Sequence, residues 1–115
     1  MTAEVLATAS LAALFTFSSL IKLLGVKQSL AIRDHLHVQP MQWRLIGLLE
    51  LAGVAGVLAG FAWPPIGVAA AIGLALLMLG AIGFHVRASD KVADTAPSVI
   101  GLGLAVATAI LQSMA

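Results

Sequence analysis

The segment from Ile66 to Phe84 contains no polar side chain at all. A helix crosses the ~30 Å hydrocarbon layer of a bilayer with roughly 20 apolar residues. Three further stretches approach that length: Val5 to about Gly25, uncharged until Lys22; Leu45 to Trp63, interrupted only by Glu50; and about Pro97 to Met114. Backbone facing lipid must satisfy its own hydrogen bonds, so helices are the expected form. The sequence therefore predicts an all-α fold with four transmembrane helices at about 5–26, 41–63, 66–87 and 97–114, in a single domain spanning residues 1–115. Composition agrees: 61% of the chain is hydrophobic and 10% is charged, against about 45–50% and about 25% in soluble domains.

The connections predict how these helices meet. Trp63-Pro64-Pro65 reads as a tight turn with an interfacial aromatic. Lys27 to Arg44 and Arg87 to Ala96 form the other two links. Short links favour antiparallel neighbours, hence an up-down-up-down bundle. All six Lys and Arg residues, Lys22, Lys27, Arg33, Arg44, Arg87 and Lys91, lie in or beside the first and third links. The positive-inside rule places those links in the cytoplasm and both termini outside it. The first charge is Glu4, whereas a signal peptide starts with positive charge.

Several function classes are excluded. A net charge of +1 gives no basic field for nucleic acid. Cysteine is absent, which removes thiol catalysis, disulfides and Cys-ligated zinc or iron–sulfur clusters. No phosphate loop, dinucleotide motif, HExxH or nucleophile elbow occurs. His35 and His37 lack a third suitably spaced ligand, so no metal is expected there; no cofactor is predicted, with a quinone the one that would fit. Ser18-Ser19 reads as a helix-packing pair. Gly53, Gly56 and Gly60, and then Gly73, Gly80 and Gly83, read as positions where helices approach closely.

Charged groups inside a membrane are expensive unless paired or wetted, so each needs an explanation. Glu50 lies five residues past Leu45, roughly 7–8 Å into the apolar layer at 1.5 Å per residue. Helical spacing puts Trp43, Gly47, Glu50, Gly53 and Val57 on one face. A carboxyl at that depth pairs with a cation or takes up a proton. Lys22, Trp43, Arg44 and His85 are expected at the same level, with Asp90, Lys91 and Asp94 nearby. Glu50 and His85 are the candidate acid–base residues; Lys22, Trp43 and Arg44 are candidate ligand contacts. Lys22 could instead snorkel. Arg44, Arg87 and Lys91 also suit interfacial anchoring, and His85 suits capping a helix end.

Ile21-Lys22-Leu23-x-Gly25, Arg44-Leu45-Ile46-Gly47-Leu48-Leu49-Glu50-Leu51-x-Gly53 and Gly80-Ala81-x-x-x-His85 resemble the DoxX-like family of small four-helix membrane proteins. The resemblance implies a bacterial cytoplasmic membrane and carries over Lys22, Gly47, Glu50, Gly53, Ala81 and His85. It also brings an association with quinone-linked oxidation of sulfur compounds. Three functions follow as expectations. The first is a pocket for a lipophilic small molecule or a quinone, binding it or transforming it by isomerisation, cyclisation or epoxide opening. The second is a non-catalytic accessory subunit of a membrane oxidoreductase complex, with a redox partner on the glycine faces; packing of those faces in a homo-oligomer is the alternative that argues against it. The third is a small multidrug-type exporter. Such exporters use a glutamate in the first helix, and some insert with weak charge bias, whereas here the deep glutamate is in the second and the bias is complete.

Overall fold

The computed structural model describes residues 2–115 and is all-helical, with no strand among the described residues. Five helices follow one another: α1 (Ala3–Leu23), α2 (Lys27–His35), α3 (Pro40–Ala59), α4 (Pro64–Arg87) and α5 (Val92–Ser113). All but α2 are long and apolar enough to cross a membrane. Their ends carry local signals. Thr2 Oγ1 accepts from the Val5 amide at 3.2 Å, satisfying one free donor at the start of α1. Pro40 and Pro64 occupy first helical positions, where a missing N–H is harmless.

Two departures from the sequence expectation stand out. Lys27–His35 is a helix rather than plain linker. The fourth long helix begins at Val92, five residues before the expected start, and runs through Pro97. Its first turn, Val-Ala-Asp-Thr, is too polar to register in an apolar search.

Three chain reversals share one device. Gly25, His37 and Ser89 adopt φ of +68°, +57° and +57° just past the ends of α1, α2 and α4. At each, the next amide reaches back five residues: Val26 to the Ile21 carbonyl (3.2 Å), Val38 to Arg33 (3.1 Å) and Asp90 to His85 (3.0 Å). This is the Schellman closure, which satisfies orphan helix carbonyls. Only Gly25 adopts the left-handed region without steric penalty.

In the packed core, α1 lies against α3 and α5, and α4 lies against α3 and α5. Leu11, Phe15, Val57, Leu74 and Ala105 are buried at the centre. Small residues permit the approach. A Cβ on Gly53 would lie 2.5 Å from Leu74 and one on Gly56 2.5 Å from Ala70. Gly73, Gly80 and Gly83 differ from expectation: a Cβ at any of them meets nothing within 4 Å, so they do not seat a neighbouring helix of this chain.

One polar group ties all four long helices together. Gln112 on α5 is fully buried; its Nε2 donates to Thr8 Oγ1 on α1 (3.2 Å) and to the Val57 carbonyl on α3 (2.9 Å). Its Oε1 lies against the Cα atoms of Gly60 and Gly67, which is why any side chain there would collide with it. Outward-facing Phe17, Leu48, Leu76 and Ile110 are exposed. An apolar exterior on every long helix is matched by lipid, not water.

Candidate functional site

At the opposite end from Gln112, a cavity of about 720 Å³ opens between the helices. This is within the size range of small-molecule pockets, which are mostly apolar with a few converging polar groups. Phe15, Ile21, Ile46, Leu77 and Phe84 supply apolar wall; Ser18, Lys22, Trp43, Glu50, His85 and Ser98 supply polar atoms.

The centre of the polar set is an ion pair. Lys22 Nζ on α1 lies 2.9 Å from Glu50 Oε1 on α3. The residues meet because Gly47, one turn before Glu50, has no side chain: a Cβ there would press to 3.2 Å from that of Lys22. Glu50 is fully buried, and Lys22 is 12% exposed. The ammonium also donates to Ser18 Oγ at 2.6 Å and lies 5.0 Å from the centre of the Trp43 ring, a distance suited to cation–π attraction. Apart from the lysine contact, neither carboxylate oxygen of Glu50 accepts a hydrogen bond among the described residues. Buried acceptors normally have such partners, so Glu50 has capacity left for a donor in the cavity.

Trp43 is held from behind. Its Nε1 donates to the buried Ser29 Oγ on α2 at 3.0 Å, and its ring packs with Leu36 and Val38. The short helix thus covers this end of the cavity and fixes the ring beneath Lys22. Arg87 adds a tie, donating to the Leu36 carbonyl at the end of α2 (3.0 Å) while lying 4.7 Å from the Phe84 ring.

His85 lines the same cavity, but its polar partner is not Glu50. Its Nδ1 lies 2.6 Å from Asp90 Oδ2, and Asp90 Oδ1 lies 2.5 Å from His35 Nε2 on α2. The Schellman turn after α4 folds Asp90 back beneath His85. Hydrogen bonds from His35, and then from His85, hold the Asp90 carboxyl below the usual carboxylate range, against the opposing effect of burial.

The structure therefore brings Lys22, Trp43, Glu50 and His85 to one cavity. Arg44 is exposed and does not line it. Asp90 and Ser29 are contributors whose roles sequence reasoning missed. Ser18, read as a packing residue, is a partner of Lys22. No group of three or more His, Asp or Glu residues among the described residues could hold a metal ion.

A family model described as the DoxX-like family matches residues 6–108. The chain belongs to the DoxX-like family. Comparisons with curated proteins and with solved structures gave no match. With four long apolar helices, membership makes this DoxX-like chain an integral membrane protein. The matched region contains every residue of the cavity's polar set.

Proposed function

We propose that this DoxX-like protein binds a lipophilic small molecule in the cavity and can act on it by proton transfer. The observation that carries the reading is the buried Lys22–Glu50 pair set in an apolar pocket, with unused acceptor capacity on the carboxylate. Lys22 would hold or polarise a ligand oxygen, Glu50 would accept from a ligand hydroxyl, Trp43 would pack on a ring, and His85 would exchange protons. Isomerisation, cyclisation or epoxide opening needs nothing more than such groups. A quinone or quinol also suits the donors and acceptors present.

In this reading the helices run up-down-up-down across a bacterial cytoplasmic membrane. Both termini lie outside, and the cavity lies at the cytoplasmic end. Support comes from the placement of all six Lys and Arg residues. It comes also from contacts that pair the start of α1 with the end of α5, and the end of α1 with Gly47 and Glu50 in the first half and middle of α3. Arg44 then serves as an interfacial anchor.

Mild detergent extraction, followed by mass spectrometry of the solvent-extracted protein, tests the reading. A lipophilic compound should accompany the wild type and be depleted in Glu50→Gln; identical extracts would contradict the proposal.

A second reading, an accessory subunit of a membrane oxidoreductase, draws on the open glycine face of α4, Gly73, Gly80 and Gly83. Stoichiometric co-purification with redox subunits would favour it. The exporter reading is weakened because the deep glutamate is engaged by Lys22.

A further inference from the structure

We propose that His85, Asp90 and His35 form a proton relay between the cavity and the aqueous surface. The inference deepens the acid–base reading above and names the route by which protons would reach that site.

The three groups form a continuous chain with graded exposure. His85 lines the cavity, with its side chain 13% exposed. Asp90 is 7% exposed and contacts both rings, one through each carboxylate oxygen. His35 is 57% exposed. Each imidazole uses one nitrogen on Asp90, which leaves His85 Nε2 for a ligand and His35 Nδ1 for water. The neighbouring charges are otherwise engaged or set aside: Arg33 is bonded to Asp34 (3.0 Å) and Arg87 to the Leu36 carbonyl (3.0 Å). Lys91 follows Asp90 in the chain, and Asp94 contributes to the cavity wall.

A proton taken by His85 Nε2 releases the Nδ1 proton to Asp90 Oδ2. His35, exposed to solvent, first exchanges the Nε2 proton it holds against Asp90 for one on Nδ1 by way of water; rotation of the carboxyl then presents the Asp90 proton to the bared Nε2, and His35 gives its Nδ1 proton to water. One proton crosses the chain, no electron is transferred, His35 ends as it began, and ring reorientation resets His85. The path is reversible. It joins a cavity group to solvent without opening the apolar wall.

The same contacts could merely fasten α2 to the turn after α4, and the two roles give opposite results. In protein carrying ¹⁵N-labelled histidine in detergent micelles, NMR reads the exchange of the His85 ring proton with water, and His37 acts as an internal control. A relay predicts that His35→Gln, at an exposed position, slows this exchange by about tenfold or more. Asp90→Asn, which keeps the shape of the group but cannot shuttle a proton, should slow it as well. Unchanged or faster exchange in His35→Gln, as expected when a fastening is loosened, would overturn the relay. The measurement needs no ligand, so its failure is distinct from failure of the ligand-binding reading.

Discussion

Lys22 on α1 places its ammonium 2.9 Å from Glu50 Oε1 on α3, at a point where the carboxylate has no exposure to solvent. Removing one member of a buried pair leaves an uncompensated charge, which typically costs about 3–5 kcal/mol. Lys22→Met should therefore lower the thermal midpoint in detergent sharply. Replacing both residues, as Lys22→Met with Glu50→Leu, should recover most of that loss while abolishing any ligand binding. A retained pair that contributes little to stability is what a functional site would show.

The glycines divide by environment. A Cβ on Gly60 or Gly67 would lie 2.6 Å from the opposing glycine Cα and about 2 Å or less from Gln112 Oε1. Gly60→Ala and Gly67→Ala should destabilise by about 1–3 kcal/mol or more through overpacking. Gly73→Ala meets open space and should be neutral or stabilising by up to about 1 kcal/mol from helix propensity. Melting curves of the three variants check the contrast.

Much of this architecture was legible beforehand because lipid imposes a simple rule on side chains. The apolar runs located the four long helices, and helical phase singled out Glu50, Trp43 and Gly47. What stayed hidden depends on features that hydropathy does not weigh. Helix α2 is short and polar, and its role rests on Ser29 beneath Trp43. Asp90 looks like an ordinary loop charge; a left-handed Ser89 turns it toward His85, and the sequence carries no glycine to announce that turn. A histidine five residues before an aspartate at a helix end was the available signal. Gln112 sits near the end of an apolar run, and only the facing Gly60 and Gly67 reveal it as a buried tie.

The contacts of Asp90 with His35 and His85 hold its carboxyl below the usual range. A carboxyl lowered on folding stabilises the folded chain above its unfolded pKa, about 3.9 for aspartate. That contribution is lost as pH falls through the lower folded value. Asp90→Asn should therefore be less stable than the wild type at neutral pH, and the gap should close only in strong acid. A gap that does not change as pH falls through the acid range would contradict this assignment. Thermal midpoints across pH measure it.

The most direct test of a ligand cavity built around Glu50 uses Trp43 as reporter. The chain has two tryptophans, Trp43 and Trp63, so Trp63→Phe leaves one beside the site. The probe is a long-chain nitrophenol, held below the pH at which it ionises; its hydroxyl suits Glu50 and its ring quenches tryptophan emission. Titration should give saturable quenching, weakened about tenfold in Glu50→Gln by loss of a charge-assisted hydrogen bond. Quenching that rises without saturating, or binding unchanged in Glu50→Gln, would contradict the account.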